Sequence, residues 1–213
     1  MSDIFREIDE ELRRDNFFKL WQRYGKYVVA LALVLVAATA LFVGWKQYQL
    51  RQSQAEGVRY AAALDLVRQG KDKEAEDAFA AMAHDASGGR AMLARFQEAA
   101  EKAKGGDRDG AIALYDAIAA DGSVSQVYRD IATLLAARFR IDSDPKAAIQ
   151  RLAPLADAGN PWHPSALELT AIAELKEGDK KAARETYQKI ADDLNAPQGS
   201  RARAAEMVAA LGQ

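Results

Sequence analysis

One uncharged apolar run of 19 residues, from Tyr27 to Trp45, constrains this chain more than any other feature. Lys26 and Lys46 bound it on either side. A helix of this length spans about 28 Å at 1.5 Å per residue, which is close to the thickness of a bilayer's hydrocarbon core. We therefore predict a transmembrane helix over residues 27–45.

Aromatic residues stand at both ends of this run. Tyr24 and Tyr27 lie at its start, and Trp45 and Tyr48 lie at its end. Amphipathic rings of this kind favour the headgroup level, so we expect these four residues to anchor the helix at the two membrane interfaces. The alternative is a buried helix of a soluble protein. The absence of charge and the aromatic residues at both ends favour the membrane.

The cations around the run predict its orientation. Five lie in residues 13–26 just before it, namely Arg13, Arg14, Lys19, Arg23 and Lys26, whereas residues 46–59 just after it hold three, Lys46, Arg51 and Arg59. The excess predicts a cytoplasmic N-terminus. Within the cytoplasmic tail, residues 1–26, apolar residues recur at helical spacing from Phe5 through Ile8 to Leu12. This tail is either a short amphipathic helix near the membrane or a helical extension of the span.

A small-residue motif inside the run, Ala38-Thr39-Ala40, resembles a signal-peptide cleavage site. However, the region before the run is long and contains six acidic residues, and apolar sequence continues past Ala40 to Trp45. An uncleaved signal-anchor is therefore favoured. A secreted protein cleaved near Ala40 is the alternative.

Residues 46–213 are rich in alanine and predict an all-α domain with almost no strand signal. Turn signals divide this part into helix-length segments, at Gly70, Gly88-Gly89, Gly105-Gly106, residues 142–145, residues 159–161, Gly178 and Pro197.

The segments repeat with a period near 36 residues. Alanine recurs at Ala75, Ala111, Ala148 and Ala183, and a large apolar residue follows four positions later at Phe79, Tyr115, Leu152 and Tyr187. Twelve positions before each of these alanines lies another, at Ala63, Ala99, Ala136 and Ala171. We predict that the residues in these columns are buried between about four antiparallel helix pairs, which stack into a solenoid. A C-terminal capping helix is predicted over 200–211.

The repeats resemble the tetratricopeptide repeat. Its G-x4-A core is matched by Gly70-Ala75, Gly106-Ala111 and Gly178-Ala183. The resemblance implies stacked helix pairs that bind peptides or partner proteins on a concave surface. A generic helical bundle is the alternative. Exposed residues of the first helices are candidates for that surface, namely Arg59, Arg95, Gln97, Arg129 and Arg138, but the sequence assigns no particular partner-binding residue.

Sequence patterns typical of catalytic, cofactor or metal sites are scarce. The chain contains no cysteine, which excludes disulfides and thiolate chemistry. A net charge of -2 provides no positive electrostatic potential that would attract nucleic acid. His84 and His163 lack partners at metal-ligand spacing, and no catalytic or phosphate-binding motif occurs. We expect neither enzyme activity nor a catalytic residue, cofactor or metal.

The order of segments along the whole chain resembles that of one known family. The charged tail, the junction WQRYGKYVVALAL, the exit GWKQYQ and the divergent repeats are similar to YfgM-like ancillary subunits of the SecYEG translocon. The resemblance implies a bacterial inner-membrane protein with periplasmic repeats. It also implies association with the translocon and with a PpiD-type periplasmic chaperone, in support of newly exported proteins. A periplasmic scaffold for envelope assembly or cell division is the alternative.

Overall fold

The computed structural model describes residues 2–86 and 88–212, with side chains from residue 21 onward except that of residue 28. Its regular structure within these ranges is helical. The helices are α1 (Ser2–Arg68), α2 (Asp72–Asp85), α3 (Gly89–Lys104), α4 (Arg108–Ala120), α5 (Gln126–Arg140), α6 (Pro145–Leu152), α7 (His163–Glu177), α8 (Lys180–Asp192) and α9 (Gln198–Leu211), and a 3-10 turn (Ala153–Leu155) follows α6.

The chain divides into two compact units, Met1–Ala55 and Glu56–Gln213. In the first unit, α1 is continuous from the tail through the predicted span. The described backbone of the tail is therefore helical and continuous with the predicted span, and the placement of the tail near the membrane stays a prediction. The side chains of Phe5, Ile8 and Leu12 lie outside the described residues.

The apolar part of α1 is long and apolar enough to cross a membrane, and none of its most apolar stretch is buried. Thr39 is the polar residue inside this stretch, and its hydroxyl donates to the carbonyl of Leu35 at 2.8 Å. This bond satisfies the hydroxyl within the helix, as an apolar environment requires. By length and composition, this segment of α1 is a candidate membrane span.

The second unit consists of successive antiparallel helix pairs. The last part of α1 packs with α2 to form the first pair. The next three pairs are α3 with α4, α5 with α6, and α7 with α8, and α9 packs on α8. Aspartates start three of the second helices. Asp107, Asp144 and Asp179 each accept a bond from the backbone N–H three residues later, at 2.9–3.0 Å. These carboxylates cap the first turns of α4, α6 and α8.

The third pair departs from this pattern at both ends of α6. Its turn lacks the glycine of the others, and Pro145 opens the helix behind the cap of Asp144. Pro154 then has no N–H for the next helical bond, so α6 ends at Leu152 and a 3-10 turn follows. The second helix of this pair is therefore shorter than α2, α4 or α8.

Candidate protein-binding surface

The predicted interface anchors are all exposed side chains on α1 in the first unit. Tyr24, Tyr27, Trp45 and Tyr48 are each between 51% and 64% exposed. The guanidinium of Arg23 lies 6.0 Å from the centroid of the Tyr24 ring, and the ammonium of Lys26 lies 5.2 Å from that of Tyr27. The rings of Trp45 and Tyr48 are 6.4 Å apart. Cation and ring thus occur together at the N-terminal end of the span.

The predicted topology-setting cations are only partly described. Arg23 and Lys26 are exposed on α1. The side chains of Arg13, Arg14 and Lys19 lie outside the described residues. Orientation across a membrane therefore stays a prediction.

The twelve residues that the repeat columns single out are all buried in the second unit. Each is 5% exposed or less, and they are Ala63, Ala75, Phe79, Ala99, Ala111, Tyr115, Ala136, Ala148, Leu152, Ala171, Ala183 and Tyr187. One of them, Tyr115, belongs to an aromatic stack. The ring of Phe139 lies parallel to that of Tyr115 with their centroids 6.0 Å apart, and the centroid of the tilted Phe96 ring lies 5.9 Å from that of Tyr115. This stack joins α3, α4 and α5 into one packed body.

The five polar residues proposed for a partner surface lie in different surroundings. Arg59 pairs with Asp85, Arg95 with Asp121, and Gln97 donates to the Tyr60 hydroxyl, so these three connect helices. Arg129 donates to Gln126 within α5. Arg138 is exposed and makes no ion pair with any described residue. Arg138 is therefore the member of this set that is free to meet a partner's carboxylate.

A pocket of about 370 Å³ opens between α3 and α5. Its floor contains Ala91, Met92 and Val124, which are buried, and Tyr128 forms a wall. Arg95 and Asp121 form an ion pair at 3.1 Å on its edge. Two loops complete the boundary, the α2–α3 loop at Gly88 and Gly89 and the α4–α5 loop at residues 121–125. An apolar floor with a polar rim is typical of a site for a protein side chain.

Sequence reasoning named Arg95 and the Gly88-Gly89 turn, but it did not predict the pocket or the other residues that line it. The α4–α5 loop was not among the predicted turns, although Asp121-Gly122-Ser123 carries a turn signal. The Asp121 carboxylate accepts from both the backbone N–H and the hydroxyl of Ser123. These bonds hold the pKa of Asp121 below its usual value, and Arg95 adds to the effect. The matching loop Asp193-Leu194-Asn195, 72 residues later, contains the same aspartate turn.

The two histidines serve local structure. His84 is exposed beside Asp85 at the end of α2. The Nδ1 of His163 lies 2.6 Å from the carbonyl oxygen of Ala156 and thereby links the start of α7 to the preceding loop. Neither belongs to a group of metal-ligating side chains among the described residues.

Ion pairs connect successive helix pairs along the edge formed by their internal turns. Lys104 pairs with Asp72, Arg108 with Asp142 at 3.1 Å, and Lys176 with the same Asp142 at 2.8 Å. The ammonium of Lys176 is the first cause that lowers the pKa of Asp142. All of these groups are substantially exposed, so each pair alone stabilises the fold weakly.

Residues 19–208 match a family described as the tetratricopeptide repeat-like domain. The chain belongs to this family. The match covers most of the chain, and helical repeat-like domains of this kind generally bind partner proteins as scaffolds and are typically not catalytic. No curated protein and no solved structure gives a significant match to the chain. The tetratricopeptide repeat-like domain and the α3–α5 pocket together indicate a protein-interaction surface.

Proposed function

We propose that the chain is a single-pass anchored scaffold of the bacterial inner membrane. Residues 1–26 lie in the cytoplasm, 27–45 cross the bilayer, and 46–213 form a periplasmic domain that binds partner proteins. The observation that carries the proposal is the combination, in one chain, of a helix apolar enough to span a membrane and a tetratricopeptide repeat-like domain. The anchor keeps the domain at the membrane, which raises its effective concentration beside membrane-embedded partners.

For the partners we propose the SecYEG translocon and a PpiD-type periplasmic chaperone, with newly exported proteins as the beneficiaries. The support is the resemblance of the Trp21–Tyr48 region to the YfgM-like subunits, together with the cation excess before the span. The domain provides a binding surface and no catalytic site, so it holds partner proteins together near the exit of the translocon.

Crosslinking in intact membranes tests this proposal. The full chain with a C-terminal affinity tag is crosslinked, extracted in detergent and purified, and bound proteins are identified by mass spectrometry. A tagged single-span protein with an unrelated periplasmic domain is the matched control. We expect translocon subunits and the chaperone to be enriched over this control. Abundant other partners without translocon subunits would contradict the proposal, and envelope-assembly or division proteins among them would favour the alternative scaffold.

A further inference from the structure

We propose that Glu56 couples the anchor helix to the α3–α5 pocket by holding the part of α3 that forms one side of that pocket. Glu56 lies on α1, the helix that also contains the predicted span. It is a positioning residue, because it acts on the pocket through Arg90. The inference rests on the proposed scaffold function and concerns how the binding surface of the scaffold is positioned.

The start of α3, residues 88–92, supplies one side of the pocket. Residues 88–89 lie on its boundary, and Ala91 and Met92 contribute to its floor. Arg90 lies between them in the chain but does not line the pocket. Instead, its guanidinium donates from Nη1 to Oε2 of Glu56 on α1, at 2.5 Å. The start of α3 therefore faces the pocket through some residues and is bound to α1 through Arg90.

The residues at the start of α3 hold this turn only weakly by themselves. Gly88 occupies the N-cap position with a φ of +61° and has no side chain that could cap the helix. The first turn also contains no acid that would favour the positive end of the helix dipole. A helix start without a cap frays unless tertiary contacts hold it. The bond from Arg90 to Glu56 is such a contact.

The carboxylate of Glu56 lies inside the second unit. Only 9% of this residue is exposed, and Arg90 is the cation that pairs with it among the described residues. A buried carboxylate that loses its cation is costly, because water cannot replace the lost interaction. The pair therefore constrains both of its members. It keeps the side chain of Arg90 directed toward α1 and so fixes the turn of α3 that carries it.

This ion pair is not part of the repeat pattern. Counted from the alanine columns, the later pairs carry Met92, Arg129 and Pro164 at the position of Glu56, and Val127 and Trp162 at the position of Arg90. Stacking of one helix pair on the next therefore does not require an acid and a cation at these two positions. A buried ion pair is weak evidence for stability, so we attribute this one to the geometry that it fixes.

Helix α1 connects this ion pair to the anchor. It is continuous from Ser2 to Arg68, and Glu56 lies eleven residues after Trp45, the last residue of the predicted span. Eleven residues correspond to about three turns, or about 16 Å of helix. Unwinding or rotation of α1 near Glu56, when a partner binds the anchor, would displace the carboxylate and with it the pocket wall. Occupation of the pocket favours the ordered helix in return, because coupling between two sites is reciprocal.

Hydrogen exchange of the full chain in detergent micelles tests the inference. The readout is the exchange of the amides from Met92 to Arg95, whose helical acceptors are the carbonyls of residues 88–91. Glu56→Gln removes the charge and keeps the shape, and it should accelerate this exchange at least about tenfold. Arg90→Gln should have the same effect. The double variant should exchange no faster than either single variant, since both substitutions remove one interaction.

Glu168→Gln is the matched control for Glu56→Gln. Glu168 on α7 also pairs with an arginine of a later helix, Arg203 on α9, at 3.1 Å and away from the pocket. This variant should leave the exchange of Met92 to Arg95 unchanged, and the amides of residues 98–104 monitor α3 as a whole. Unchanged exchange in Glu56→Gln, equal acceleration along all of α3, or additive effects in the double variant would each overturn the inference.

Photocrosslinking in intact membranes separates this inference from the proposed function. A photoreactive amino acid in place of Tyr128, on the pocket wall, reports the capture of partners. Glu56→Gln should lower this capture at least about fivefold, whereas Glu168→Gln should not change it. If Glu56→Gln captures the proposed partners as well as the unmodified chain does, the scaffold function stands and this inference fails. If the unmodified chain captures none of them, the proposed function itself fails.

Discussion

At the scale of single residues, small side chains at the buried columns decide how closely the helices approach. Ala136 on α5 is fully buried and packs in one cluster with Tyr115 and Ile118 of α4. Phe139 packs against the same cluster, and its ring stacks on that of Tyr115. Packing at native density leaves no room for three additional carbon atoms.

Ala136→Leu should therefore destabilise the second unit by about 1–3 kcal/mol through overpacking. For a chain of this size each kcal/mol corresponds to a decrease in Tm of about 2–4 °C. Ala113→Leu, on the exposed face of α4, is the control and should leave Tm unchanged. Circular dichroism melting of the full chain in detergent measures both. Equal melting of the two variants would show that this column is not closely packed.

Glu174 gives a second prediction at this scale, because burial raises the pKa of its carboxyl group and one of its oxygens lacks a hydrogen-bond partner among the described atoms. A folded-state pKa above the unfolded value means that this group favours the fold when protonated, and that the benefit is lost as pH rises through the folded pKa. Glu174→Gln should therefore raise Tm at pH 7. The gain should disappear as pH falls below the unfolded pKa of about 4.3.

Glu185→Gln on the exposed surface of α8 serves as the control for Glu174→Gln and should change Tm little at either pH. A gain in Tm for Glu174→Gln that persists at low pH would mean that the substitution acts through packing instead of charge.

Sequence alone predicted the buried columns but not the roles of the polar residues. Alanine and a large apolar residue recur at fixed spacing, so burial of Ala75 and Phe79 follows from periodicity. Arg95 and Arg138 are both cations on first helices, and no pattern in the sequence distinguishes one from the other. Their difference depends on Asp121, which follows α4, the partner helix of α3 in the same pair, and which the fold brings to Arg95. Such a contact arises only when the chain is folded.

At the scale of helices, capping explains where each second helix begins. Asp107, Asp144 and Asp179 cap α4, α6 and α8, whereas Lys71 occupies the corresponding position before α2 and no described side chain caps that helix. The first pair therefore lacks a stabilising bond that the other three share.

Lys71→Asn should supply the missing cap and stabilise the first pair by about 0.5–1 kcal/mol. The exposed pair of Lys71 with Glu74 is lost, which costs little. Lys73→Asn is the control, because a short amide inside the helix provides no cap and should give no gain. Hydrogen exchange of the α2 amides measures the change locally. Unchanged exchange in Lys71→Asn would contradict the capping argument.

Helix boundaries were predictable where glycine or proline marks a turn. Gly178, with φ +84°, ends α7 in the left-handed conformation and separates it from α8 as its pattern indicates. The loop after α4 contains a single glycine within an Asp-Gly-Ser turn, which is a weaker turn signal than paired glycines or proline. The early end of α6 depends on Pro154, whose position within a repeat became clear only in the structure.

At the scale of the whole molecule, the proposed function requires that the chain crosses the membrane once, with its N-terminus in the cytoplasm. A reporter enzyme fused after Gln213 should be active only if it works outside the cytoplasm, and cytoplasmic activity would overturn the orientation. Mass spectrometry of the membrane-bound protein should find the N-terminal segment retained. A mature protein starting near Leu41 would instead support cleavage after Ala40 and a secreted form.

Photocrosslinking in living cells from inside the pocket tests the proposed scaffold function. A photoreactive amino acid replaces Tyr128 at the pocket wall in one variant and the exposed Leu194 in the matched control. We predict that position 128 crosslinks translocon subunits, the chaperone or exported chains, and that position 194 does so far less. Crosslinks from position 128 to cytoplasmic proteins, or equal crosslinking from both positions, would contradict it.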